Sequence, residues 1–326
     1  MAQSQTAPRG QKASDQYVVK KGNANGVNLA YKVSGGQAIS WSGNDYTGRS
    51  VIFIHGLGTS SDLWTHQHQH LDFLCQTISY DNRGVGDSDK PKDGYDIQNL
   101  SKDVIGLMDH LKLKRAVLCG LSDGANVALN TALENPARVQ GLIMCGANPN
   151  APDAEEKKNL SEISKLAGSK GLEAAVEYWL DNTPGLQPFF NHHTEQGFLQ
   201  DEFPTRNWLK KQALRTTPEA FAATVEGMLN RPDFMGKIKG VQAPVLVVIG
   251  TKDGPEYVKA ADQMAGAGGD HRGAGTTTAT GFRDVNKLVL PTAGHYGPLE
   301  RTEEFNERFQ DYLQALEGSA YDHYQL

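Results

Sequence analysis

A serine, an aspartate and a histidine, each just past a run of apolar residues, are the groups in this chain equipped to do chemistry. The serine is Ser122, within Gly120-Leu121-Ser122-Asp123-Gly124. A buried-type strand pattern precedes it and an alanine-rich helical pattern follows, which is the context a G-x-S-x-G nucleophile turn requires. Glycines two positions to either side let strand and helix pass closely, so the hydroxyl stands at the sheet's carboxyl edge and the helix's positive end. A serine hydroxyl is a poor nucleophile until a base takes its proton. Two later strand patterns lead to suitable partners: APVLVVIG runs into Asp253, and KLVLP into His295. In that order the three suit acyl transfer, with Ser122 attacking, His295 carrying the proton and Asp253 orienting the imidazole. The alternatives are a turn serine that caps its helix, a helix-capping aspartate and a surface histidine. Glu256 and Asp153 are the acids that would substitute for Asp253.

Acyl transfer also builds negative charge on a carbonyl oxygen, which aimed backbone N–H groups stabilise. His55-Gly56-Leu57-Gly58 follows an apolar strand and supplies such a loop, so the N–H groups of Leu57 and Asp123 are the expected oxyanion donors. His55 reads as structural. The Asp123 carboxylate either meets a substrate ammonium or serves the helix N-terminus, where an anion is favoured. Trp179, Phe189, Phe190, His192 and Tyr296 are the other residues expected near substrate. His66 and His70 in the run Trp64–His70 share a helix face without a carboxylate to complete a metal site, so a solvated face is expected. Cys75, Cys119 and Cys145 lie in or beside apolar runs and read as buried free thiols.

These groups need a frame. Continuous apolar runs alternating with amphipathic helices predict an α/β fold, a mostly parallel central sheet with helices on both faces. Ligands of such sheets sit outside the carboxyl ends of the strands, where the three groups fall. Tyr17–Lys20 and Val27–Ser34 read as short strands about a turn at Asn23–Gly26. Residues 1–16 are expected to be disordered, 17–150 and 239–316 to form the core, and 317–326 to be a tail. From Ala151 to Ile238 no strand pattern appears. Leu172, Ala175, Val176, Trp179 and Leu180 make one helical stripe there, and Phe221, Val225, Met228 and Leu229 another. That stretch, 151–238, reads as a helical lid over the ligand side. The Gly/Thr-rich loop 266–281 enters its strand from the amino end, on the face away from the site.

The chain has 326 residues, 38% of them apolar, and a net charge of −6 with scattered lysines and arginines. No nucleic-acid or anionic-membrane surface is expected. The N-terminus lacks an apolar signal region, and no window reaches the length of a membrane span. A soluble, cytoplasmic protein is expected, monomer or homodimer, whose partner is a small molecule.

HGLGTSSDLW, YDNRGVGDSDKP, GLSDG, GTKD and AGHYGPLE, in that order, resemble the α/β-hydrolase superfamily. The first three blocks look especially like its 3-oxoadipate enol-lactonase and carboxylesterase-like members. The resemblance runs from about Tyr17 to Leu316. It implies an α/β-hydrolase fold and a cofactor-free serine hydrolase that cleaves a carboxylic ester or lactone through an acyl-enzyme. It gives Asp81, Arg83, Gly84, Gly86 and Ser88 a turn-shaping role. Serine at 122 separates the chain from the similar epoxide hydrolases and haloalkane dehalogenases, which use aspartate. Asp123 departs from the pattern, since many relatives place a neutral residue there. Two other activities share the fold: hydrolysis of a carbon–carbon bond in a β-diketone or dienoate, and ligand reception without turnover.

Overall fold

The computed structural model describes residues 17–35, 49–186, 206–266, 281–282 and 284–322, with side chains to 316. Eight strands form one sheet in the order β1-β2-β4-β3-β5-β6-β7-β8. They are β1 (Lys20–Ala24), β2 (Val27–Ser34), β3 (Ser50–Ile54), β4 (Gln76–Tyr80), β5 (Ala116–Leu121), β6 (Val139–Cys145), β7 (Val245–Gly250) and β8 (Val285–Leu290). The first two pairings, β1 with β2 and β2 with β4, are antiparallel; the rest are parallel.

The first strand begins at Lys20, three residues later than the Tyr17 its apolar start suggested. Its register is set by Asn25-Gly26, both at positive φ (50° and 79°), the backbone a tight two-residue hairpin favours. The remaining strands fall on the apolar runs. Successive side chains alternate between faces. Val51, Phe53, Val117 and Cys119 join one core, and Ile52, Ile54 and Leu118 the other. Burial on both faces is why these strands read as unbroken apolar runs.

Helices α1 (Thr65–Leu71), α2 (Ile97–His110) and α3 (Asp123–Glu134) connect the first strands. Between β6 and β7 lie α4 (Ala154–Lys170), α5 (Leu172–Asn182), α6 (Arg206–Ala213) and α7 (Pro218–Leu229). Asp153 caps α4, accepting from the amides of Glu155 and Glu156 at 2.9 Å, so it is a helix cap and not a partner of His295. The expected stripes are inward: Ala175, Val176, Trp179, Leu180, Phe221, Val225 and Met228 are buried. After β7 come α8 (Pro255–Ala265) and, beyond β8, α9 (Thr302–Asp322), which continues past Leu316. Expectations for residues 1–16 and for the Gly/Thr-rich stretch at 267–280 lie outside the described residues. No helix among the described residues is long and apolar enough to cross a membrane.

In the run Trp64–His70 the face shared by His66 and His70 is half-buried, while two of the residues between them are built into the core. Gln67 and His68 are fully buried. His68 Nδ1 lies 2.6 Å from Thr77 Oγ1 and Nε2 lies 2.8 Å from Ser79 Oγ. Both hydroxyls project from β4 into the core, and one imidazole satisfies the pair, as buried polar groups require. Burial lowers the His68 pKa to about 3, so the ring is neutral. All three cysteines are buried free thiols.

Candidate active site

Ser122 sits where β5 ends and α3 begins, with φ 56° and ψ −121°. Such a conformation is costly for a residue with a Cβ and persists only where its surroundings enforce it. Here the Ser122 amide extends the β5–β6 ladder by donating to Cys145 O at 2.9 Å, while Ser122 O accepts from Ala125 N at 3.0 Å. The flanking glycines are steric requirements. A Cβ on Gly120 would lie 2.3 Å from Gly124 O, and one on Gly124 would lie 2.4 Å from Ile54 O. The close passage of strand and helix expected from the pentapeptide is therefore present.

Asp253 and His295 meet. Asp253 follows β7 and His295 follows β8, and His295 Nδ1 lies 2.9 Å and 3.1 Å from the two carboxylate oxygens. Both residues are buried. Burial acts to lower the His295 pKa, but the Asp253 charge and hydrogen bond outweigh it and the net direction is upward. A Cβ on Gly146, the residue after β6, would stand 3.3 Å from His295 Cε1 and 3.3 Å from Asp253 Oδ2. The imidazole thus rests on the end of the strand whose Cys145 carbonyl holds Ser122. No hydrogen bond joins Ser122 Oγ to His295 in this structure. Glu256, the other acid considered, lies in the first turn of α8 and makes no bond to the imidazole.

Two residues that sequence reasoning missed hold this pair. Glu300 accepts from the amides on either side of His295, Gly294 N at 2.8 Å and Tyr296 N at 3.0 Å. Burial pushes its carboxyl up to about 7 against those stabilising bonds. Gly185, at the end of the α5 turn, accepts from the His295 amide at 3.0 Å. The only signals were a glutamate five residues past the histidine and a Thr-Pro-Gly turn.

The loop after β3 faces the nucleophile turn. A Cβ on Gly56 would lie 3.0 Å from Ser122 Cβ and 3.7 Å from Asp123 N. Among the described residues, neither the Leu57 nor the Asp123 amide has an acceptor, so both N–H groups are available to a third party. His55 is structural. Its Nδ1 donates to Gly56 O at 2.9 Å and its Nε2 accepts from Asn82 N at 2.9 Å, while burial lowers its pKa. The Asp81–Ser88 turn is equally built in. Asp81 accepts from Ser61 N and Asp87 N, and Arg83 grips Asp103 through two bonds of 2.7 and 2.6 Å.

A cleft of about 520 Å³, its open mouth included, adjoins these amides. Leu57, Arg83 and Asp123 line it from the core, and Gln212, Phe221 and Thr224 from the insertion. Ser122, which precedes the lining residue Asp123, and His295 do not line it. Trp179 and Tyr296, expected near substrate, are both buried and do not line this cleft. A Cβ on Gly58 would lie 2.3 Å from the Trp179 ring, so this buried indole packs the insertion onto the loop. Tyr296 is buried and stands edge-on behind the His295 ring, 5.8 Å between centroids. Phe189, Phe190 and His192 lie outside the described residues.

Residues 49–302 match a family model described as alpha/beta hydrolase fold. The chain is 28% identical to 3-oxoadipate enol-lactonase 2 of Acinetobacter baylyi over 204 residues, 63% of this chain and 71% of that one. It is 30% identical to a non-heme chloroperoxidase of Streptomyces lividans over 244 residues, 71% and 80% of the two chains. A solved esterase from Thermogutta terrifontis superposes with a TM-score of 0.73 at 24% identity, covering 92% of this chain and 99% of that one.

Proposed function

The chain belongs to the α/β-hydrolase family, and from that premise we propose that it is a serine hydrolase that cleaves a carboxylic ester or lactone, with water as the only co-reactant. The observation that carries this reading is the Asp253–His295 pair, hydrogen-bonded at 2.9 Å beside the positive-φ turn of Ser122. In the reaction, Ser122 Oγ attacks the carbonyl carbon as its proton passes to His295 Nε2. Asp253 fixes the proton on Nδ1, leaving Nε2 as the base, and stabilises the imidazolium. The Leu57 and Asp123 amides receive the oxyanion. The carbon–oxygen bond to the alkoxide breaks as His295 returns the proton to it. Water, deprotonated by His295, then releases the acid from Ser122.

The absence of a Ser122–His295 hydrogen bond is in keeping with a site that tightens on substrate. The helical insertion is read as a lid: Trp179 packs on the Gly58 loop and Gly185 holds the His295 amide. The enol-lactonase and esterase among the relatives support the ester or lactone class. The test is labelling with a fluorophosphonate probe. One equivalent should bind the native protein, with none on Ser122→Ala and at least a hundredfold slower labelling of His295→Ala. Native protein that fails to label, or Ser122→Ala that labels equally, would overturn the reading.

A further inference from the structure

Asp123 is the residue the proposed reaction explains least. Its amide serves the oxyanion, yet a carboxylate beside a developing negative charge opposes that chemistry. The residue is 7% exposed and lines the cleft, and its buried Oδ1 has no hydrogen-bond partner among the described residues. A helix N-terminus tolerates an acid, but a capping carboxylate would accept a first-turn amide, and this oxygen accepts none.

The neighbours do not neutralise it. Arg231 is the cation that attracts it, but that guanidinium already donates to Glu156 at 2.9 Å and to Asn150 O at 3.1 Å. Glu156 repels it, and the Asn126 side-chain amide lies within reach to donate to the carboxylate and partly offsets its burial. Burial pushes the carboxyl upward accordingly. Among the described residues the other charged one lining the cleft, Arg83, is held through Nε and Nη2 by Asp103. Among the described residues the cleft therefore presents an acid without a counter-charge of its own, and a buried carboxylate needs a charged or hydrogen-bonding partner.

We propose that Asp123 is a specificity determinant that binds a protonated amine on the substrate, on the carbon next to the scissile carbonyl or one further. The placement follows from one residue carrying both groups: its N–H faces the oxyanion, so its carboxylate meets what is attached close to that carbonyl. An ammonium supplies charge and three donors where a hydroxyl supplies one. A substrate with a carboxylate there is rejected. This inference rests on the hydrolase reading.

The experiment uses the full chain, with Asp123→Asn and Asp123→Glu, at pH 7 and low salt. L-alanine methyl ester, methyl isobutyrate and monomethyl methylmalonate place an ammonium, a methyl and a carboxylate on the same carbon. Native protein should favour the amine over the methyl ester, and Asp123→Asn should lower that kcat/KM ratio at least tenfold while raising the relative rate on the anionic ester. Asp123→Glu, which keeps the charge, should retain the amine preference. Dissociation constants for L-alaninamide and isobutyramide read the same preference without ester turnover. No preference in native protein, or a preference equal in Asp123→Asn, overturns the assignment. Amine preference in a native protein that does not label with fluorophosphonate overturns the hydrolase reading and leaves Asp123 as an amine site.

Discussion

Gly185 offers a way to disturb Asp253 without substituting it. A methyl group on Gly185 stands 2.5 Å from Asp253 Oδ1 and 3.0 Å from Gly254 N, and the residue has φ +80°. Ordinary contact begins near 3.4 Å, so the carboxylate or the turn must yield by roughly 1 Å, the scale of misplacement that costs a catalytic arrangement about a hundredfold. The backbone adds a separate cost. A side chain at such a φ loses about 1–3 kcal/mol, which at about 2.1 cal/mol/K per residue lowers Tm by roughly 1.5–4.5 °C for a chain of this size. Gly171 separates the two effects, having φ +88° and no atom within 4 Å of an added Cβ. Gly171→Ala should lose a few degrees of Tm and keep its rate on a neutral p-nitrophenyl ester. Gly185→Ala should lose similar stability and about a hundredfold in kcat/KM. Equal rates in the two variants would refute the idea that the insertion sets the position of the acid.

Glu300→Gln replaces one acceptor with a donor facing an amide N–H, so kcat/KM should fall about tenfold or more. Glu300 also raises the His295 pKa, so the ascending limb of the kcat/KM profile should move to lower pH. The raised carboxyl means the folded protein holds a proton that the unfolded chain releases between 4.5 and about 7. Stability should therefore fall as pH rises through that window, by on the order of 3 kcal/mol, and the Gln variant should show a flatter denaturation profile. His68 acts in the opposite sense. Its folded pKa of about 3 lies below the ordinary 6.5, so the unfolded chain binds more protons and stability is lost as pH falls from about 6.5 towards 3. His68→Gln should weaken that acid sensitivity in urea titrations at pH 5 and 7, and an unchanged difference would count against it.

The sheet was legible because its signals are local. A strand buried on both faces must be apolar throughout, and β3, β5, β6 and β7 carry runs that no helix period explains. Ser122, Asp253 and His295 were legible for the same reason, each lying a few residues beyond such a run. The insertion's helices declared themselves through apolar stripes at helical spacing. By contrast, β1 is polar and is a strand because the Asn25-Gly26 hairpin lays it against β2. His68 lies off the His66–His70 face in the sequence, but its partners are found only when Thr77 and Ser79 are brought across from the neighbouring strand.

Among three acids with a claim on His295, only distance selects Asp253 over Glu256 and Asp153. Glu300 and Gly185 gain their roles from amide bonds to the histidine loop, which no local period records. Whether the Asp123 carboxyl has a counter-charge depends on Arg231 being engaged by Glu156, residues far apart in the chain. Local pattern determines which segments are buried. Which polar groups are paired within them is decided by contacts between segments, and only the folded chain creates those.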